Sequence, residues 1–264
     1  EKPKISTKIG FEESRLDLVQ KIRTAAGSRI GSSASKNKPA VRQAKKRQNT
    51  ELAATPKHSP DELMTRRSFR PNGAQDPIIV IGASTGGTVA LENVLTELPT
   101  SVPGIVVVQH MPEHFTRAFA KRLNSVCQLS VKEAGNRDRV QPGHVYIAPG
   151  NIHAALRRVG QHYQIDLISG PPITRHKPSV DILFRSAAFA AGPHALGIIM
   201  TGMGADGAIG MKEMKEDGAQ TIAQDEKSCI VYGMPKEAVS LGGVNKTLPL
   251  NKIADAIIKF KPSI

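Results

Sequence analysis

Apolar and polar positions alternate in two different periods along this chain, and the alternation begins only after Asp76 and Pro77. Ile78, Ile79, Val80 and Ile81 form a short β-branched run, the pattern of a strand buried on both faces. Leu91, Val94, Leu95 and Leu98 then fall at i, i+3, i+4 and i+7, one face of a helix that Pro99 stops. Residues 105–108 predict the next strand. Phe115, Phe119 and Leu123, four apart, predict the next helix. Ser179 reads as the N-cap of a helix to about Ala190. Residues 196–200 read as a strand, residues 201–207 as a Gly-rich turn, and a helix follows to Gly218. Short strands are predicted near 221–223 and 229–231. Ile253, Ile257 and Phe260 mark a last amphipathic helix.

Residues 140–168 read differently. Pro142-Gly143 and Pro149-Gly150 punctuate His144 to Ala148, and Tyr163 to Ile168 follows, which suggests an antiparallel hairpin. The predicted fold is therefore α/β: a doubly wound, mainly parallel sheet flanked by helices, with an antiparallel hairpin around residues 140–168. Right-handed crossovers place every βα turn at one edge of such a sheet, where ligands bind.

Composition adds a second region. The 264 residues carry a formal net charge of +13, and +10 of it lies in residues 1–75. Residues 27–57 are dominated by Ser, Lys, Asn, Ala, Gln, Thr and Pro with few large apolar side chains, too few to offset their ordering entropy, and are read as a flexible basic linker. Residues 11–26 suit a helix, with Glu12 and Glu13 early, Lys21 and Arg23 late, and Gly27 as C-cap. Ser59-Pro60-Asp61-Glu62 resembles a capping box opening a short helix to about Arg67. Lys45-Lys46-Arg47 lacks aromatic interleaving, so no nucleic-acid partner is expected. Two cysteines exclude a disulfide framework, and no apolar run is long enough to span a membrane. The first residues, Glu1-Lys2-Pro3-Lys4, show no signal-peptide core, so a soluble intracellular protein is expected.

Three βα turns carry reactive groups. Ser84 lies in Gly82-x-Ser84-x-Gly86 between strand and helix, the context of a nucleophile elbow. His110 follows the strand at 105–108 and can act as base; Asp206 lies in the turn after 196–200 and can orient an imidazole. The order Ser, His, Asp differs from that of α/β-hydrolases. From spacing alone a serine hydrolase and a phosphate cradle both remain open, because Gly-rich βα turns commonly hold phosphates. The other histidines show no metal-ligand spacing, and Cys127 and Cys229 read as buried thiols.

Taken together, residues 81–87, Gln109-His110-Met111-Pro112, residues 142–150, Pro178-Ser179-Val180-Asp181, residues 201–207 and Tyr232-Gly233-Met234-Pro235 narrow the choice. In that order they closely resemble the catalytic domain of the bacterial chemotaxis receptor methylesterases, the protein-glutamate methylesterase family. The resemblance covers residues 76–264. It implies a cytoplasmic serine hydrolase that removes methyl esters from glutamate side chains of chemoreceptors, releasing methanol, and that deamidates receptor glutamines. It places the catalytic triad on Ser84, His110 and Asp206, with Thr85 and Met203 at the active site. It implies no cofactor, no metal, no membrane insertion and a monomer whose partners are acidic receptor helices and its own receiver domain. Residues 1–75, which show no acidic pocket or βα repeat, are then the interdomain linker, and the receiver lies outside this chain.

Overall fold

A computed structural model describes residues 58–70 and 75–262. The β-branched runs become the heart of a seven-stranded sheet. The strands are β1 (Ile78–Ala83), β2 (Gly104–Gln109), β3 (Ser130–Glu133), β4 (His144–Ile147), β7 (Ala195–Ile199), β8 (Gln220–Gln224) and β9 (Lys246–Leu248). Every neighbouring pair is parallel, in the order β3-β4-β2-β1-β7-β8-β9. Strand order reverses beside β1: the chain winds outward through β2 on one side and through β7 on the other.

Alternate residues of each strand enter two separate cores. Ile79, Ile81, Ile105, Val107, Leu196 and Ile198 pack under α1 (Gly87–Leu95), α2 (Glu113–Val126) and α6 (Leu250–Ile258). Ile78, Val80, Val106, Val108 and Ile199 pack under α3 (Val180–Ala191), α4 (Ala208–Glu216) and α5 (Met234–Ser240). A separate antiparallel hairpin, β5 (His153–Val159) with β6 (His162–Ile168), joins the second core through Ala154, Leu156, Tyr163 and Ile165. Continuous apolar runs are what a sheet covered on both faces requires. Among the described residues no helix is long and apolar enough to cross a membrane.

Several expectations change. The hairpin is confined to residues 153–168, and residues 144–147 belong to the parallel sheet between β2 and β3. The Pro-Gly flanks locate the ends of β4 but not its partner. Its burial on both faces, Val145 and Ile147 on one side and Tyr146 on the other, is the signature of an interior parallel strand. Residues 229–231 form no strand; a single bridge joins Gly202 to Tyr232 there. On α2 the buried face is Thr116, Phe119, Ala120 and Leu123, and Phe115 is 59% exposed.

The capping box at Ser59 forms, with Ser59 N–H donating to Glu62 Oε1 at 2.9 Å and Asp61 N–H donating to Ser59 Oγ at 3.3 Å. It caps one 3₁₀ turn, Pro60–Glu62, rather than a helix to Arg67. The described part of the basic segment is docked. Leu63 and Met64 pack on Ile173 and Ile182, and the buried Arg185 donates to Asp61 Oδ1 at 2.8 Å and Met64 O at 2.7 Å. The compact unit that carries the sheet spans Ala53–Ile264. The helix expected at residues 11–26, the polar stretch 27–57 and the Lys45-Lys46-Arg47 run lie outside the described residues.

Candidate active site

Ser84, His110 and Asp206 stand at the carboxyl ends of β1, β2 and β7, three adjacent strands at the reversal of strand order. The loops that carry them are laced together by main-chain bonds. Ser84 N–H donates to Thr201 O at 3.0 Å, and His110 N–H donates to Ala83 O at 3.0 Å. The Ser84 carbonyl accepts from Gly87 N–H at 2.8 Å and from the Gln109 side-chain amide at 2.9 Å. Both turns into the following helices pass through a left-handed glycine, Gly86 at φ 80° and Gly207 at φ 93°, where a side chain would be strained.

Asp206 is fully buried, yet all its bonds are to donors. Oδ2 accepts from His110 Nε2 at 2.7 Å and Val180 N–H at 2.7 Å; Oδ1 accepts from the Ser179 hydroxyl at 2.7 Å and Asp181 N–H at 3.1 Å. Burial opposes its charge. The His110 bond and charge, followed by the Ser179 and Val180 donors, outweigh it and hold the carboxyl below its ordinary value. An ionised carboxylate only accepts, so Nε2 is the nitrogen that donates to Asp206, and in the neutral ring Nδ1 carries the lone pair. That Nδ1 is buried and has no partner among the described residues.

Above this pair opens a cleft of about 800 Å³ lined by Ser84, Thr85, His176, Met203, Tyr232 and Lys236, with other residues. His110, its side chain 9% exposed, is stacked on the lining residue His176, and Asp206 is fully buried. The expected proton line is therefore closed between His110 and Asp206. Among the described residues no hydrogen bond joins the Ser84 hydroxyl to His110; such contacts often tighten only with substrate bound. Thr85 accepts the Thr201 hydroxyl on its carbonyl at 2.9 Å, and Met203 is 72% exposed. The backbone N–H groups of both have no hydrogen-bond partner among the described residues, and both residues line the cleft. A histidine–carboxylate pair, a serine on the adjoining turn and two unpaired N–H groups on residues lining a cleft are the parts of acyl transfer.

The fold brings three further side chains against these residues that sequence reasoning did not single out. His176 stacks on His110, ring centroids 3.8 Å apart and planes 4° from parallel. Nothing in its spacing signals this, because the two residues meet only through the fold. Ser179 holds the N-cap position of α3 but makes no side-chain cap bond; its hydroxyl faces Asp206 instead. Gln109, 3% exposed, ties Ser84 O and His110 O together through one amide, at 2.9 and 3.1 Å. His110, His176 and Asp206 offer ligand atoms within 4.8 Å of one another. Two face-to-face rings keep their lone pairs in parallel planes 3.8 Å apart between centroids, so one ion cannot lie in the plane of both.

The chain resembles known proteins along most of its length. The family model described as CheB methylesterase matches residues 79–257. A Geobacter metallireducens protein-glutamate methylesterase/protein-glutamine glutaminase is 52% identical over 252 residues, which are 96% of this chain and 65% of that protein. A Shewanella oneidensis relative of the same description is also 52% identical, over 98% of this chain and 70% of its own length. This chain thus spans about two thirds of the length of such relatives. The crystal structure of the Thermotoga maritima CheB methylesterase catalytic domain superposes with a TM-score of 0.67 at 39% identity, covering 70% of this chain and 99% of that one. With its parallel sheet and the convergence of three βα turns, this chain belongs to the CheB methylesterase family.

Proposed function

We propose that this chain is a serine methylesterase that hydrolyses glutamate γ-methyl esters on cytoplasmic chemoreceptor helices, releasing methanol, and that it deamidates receptor glutamines. The observation that carries this reading is the His110–Asp206 bond with the orphaned, buried Nδ1 beside the Ser84 turn. The descriptions of the relatives as methylesterases and glutaminases supply the substrate class.

In this mechanism Ser84 Oγ attacks the ester carbonyl while His110 Nδ1 takes its proton. Asp206 keeps Nε2 protonated and stabilises the imidazolium, and the Thr85 and Met203 N–H groups hold the oxyanion. One such donor is worth about 3–4 kcal/mol of barrier. The imidazolium returns its proton to the leaving methanol. Water, activated by the same nitrogen, then releases glutamate and restores Ser84. An amide passes through the same tetrahedral geometry, with ammonia leaving, so deamidation uses the same groups. General-base help contributes about 10²–10⁴-fold.

The basic character of the chain, +13 overall, suits acidic receptor helices, and it predicts association that weakens as salt rises. We read residues 1–75 as the tether to a receiver domain acting in the same cytoplasmic pathway. The test is methanol release from methylated receptor membranes by the wild-type chain and by Ser84→Ala. A folded Ser84→Ala protein that still releases methanol refutes the assignment.

A further inference from the structure

We propose that His176 is a positioning residue for the esterase reaction: its ring is a fixed plate that sets the plane of the His110 imidazole. The inference rests on the esterase reading of the site. Asp206 alone cannot do this. One hydrogen bond to Nε2 fixes the direction of one ring edge but leaves the ring free to roll about that bond, so that Nδ1 has no fixed direction. A second ring, parallel within 4° and 3.8 Å away, blocks the roll.

The plate is itself anchored. His176 Nδ1 donates to Thr174 O at 2.8 Å, and the Thr174 hydroxyl meets Asp181 Oδ2 at 3.1 Å. Asp181 N–H donates to Asp206 Oδ1 at 3.1 Å, and Asp206 holds His110. The circuit His110, Asp206, Asp181, Thr174, His176 closes on itself through the stacked rings. Every link except that stack is a hydrogen bond or a covalent chain, so moving either ring disturbs the other.

The backbone supports the same conclusion. Thr174 and Arg175 stand at φ 49° and 69°, two consecutive non-glycine residues in the left-handed region. A β-branched residue there is an outlier that persists only where its surroundings impose it, and such strain collects at functional sites. Here the strained pair delivers the next residue, His176, onto His110. Burial first, and then the neighbouring His110, push the His176 pKa below its ordinary value, which favours the neutral ring that can stack closely. The Asp206 charge and the Thr174 carbonyl work against that shift, and Arg175 works with it.

Three substitutions separate a plate from a mere structural residue. His176→Phe keeps a stacking ring and loses the anchor bond. His176→Asn keeps a donor for Thr174 O and loses the ring. His176→Ala loses both. Each is assayed for methanol release from methylated receptor membranes and for the rate at which a fluorophosphonate labels Ser84, with folding checked by circular dichroism. We expect His176→Ala and His176→Asn to lower kcat by about 10- to 100-fold, the scale of a misplaced catalytic group, with KM within about twofold. His176→Phe is expected to recover most of that loss in both assays. A His176→Asn protein as fast as wild type, or a folded His176→Phe protein as slow as His176→Ala, overturns the proposal. If the wild-type chain labels but releases no methanol, the methylesterase reading fails while the labelling rates still judge His176.

Discussion

Asp206 Oδ2 accepts the Val180 amide at 2.7 Å, so the carboxylate that orients His110 also fastens the first turn of α3. In the proposed mechanism, catalysis and folding share one group. Asp206→Asn should lower kcat by about 10³–10⁴-fold, as expected when the imidazole loses its orienting anion. Asp206→Ala should also destabilise the fold by about 2–4 kcal/mol, because the Val180, Asp181 and Ser179 donors lose their acceptor. The folded carboxyl titrates below its unfolded value. Its contribution is therefore full above the ordinary carboxylate range and is lost as pH falls through the folded value. Denaturant titrations of wild type and Asp206→Asn at a series of acidic pH values check this: the variant should lose less stability on acidification.

Asp181 behaves in the opposite sense. Burial first, then the adjacent Asp206 charge, push its carboxyl well above the ordinary value. A group with a raised folded value binds a proton on folding, so stability declines as pH rises from its unfolded value toward its folded one. Asp181→Asn keeps the shape and the acceptor for Gly210 N–H and can still meet Thr174. At neutral pH it should be as stable as wild type or more so, with a flatter stability profile above the carboxylate range. A substantial loss of stability at neutral pH would show that the charged form is required.

Arg185 offers a contrast between buried and exposed pairing. Its guanidinium grips Glu213 at 2.6 and 2.9 Å, with only 3% and 7% of the two side chains exposed, and reaches Asp61, which is 68% exposed. Arg185→Ala should cost about 3–5 kcal/mol, because Glu213 is left charged and unpaired inside the protein. Asp61→Ala should cost under about 1 kcal/mol. Thermal melts of both variants decide the matter, and equal losses would contradict it.

Gln109 is the remaining test. Replacing it with Met keeps the volume but removes the amide that joins Ser84 O to His110 O and leaves His110 O without its partner, at a cost of about 1–3 kcal/mol. The two reactive turns should then drift relative to each other. Methanol release should fall by about tenfold or more while the circular dichroism spectrum is retained.

The parts of the site that the sequence makes legible are those with a local cause. Short apolar runs mark β1, β2 and β7; Gly-rich turns follow β1 and β7, while Gln109-His110-Met111-Pro112 follows β2, and these local signals place Ser84, His110 and Asp206 at one sheet edge. The hairpin boundary is misplaced because Pro142-Gly143 and Pro149-Gly150 mark ends, not partners, and β4 reveals its place only by being buried on both faces. The role of His176 is hidden for a stronger reason. Thr174 and Arg175 adopt backbone angles that their own preferences oppose, so no propensity argument leads there. The second task of Asp206, capping a helix that begins 26 residues earlier in the chain, likewise exists only in three dimensions.

The reactive turns all hang from β2, β1 and β7, the three innermost staves of the sheet, while β3 and β9 form its rims. Fraying proceeds from rims inward, so partial opening on heating should reach the outer strands well before the reaction centre. Slow hydrogen exchange at the amides of Ile79, Val106 and Ile198 should then track the loss of activity, and warmth should extinguish this enzyme in a single step rather than by gradual decline.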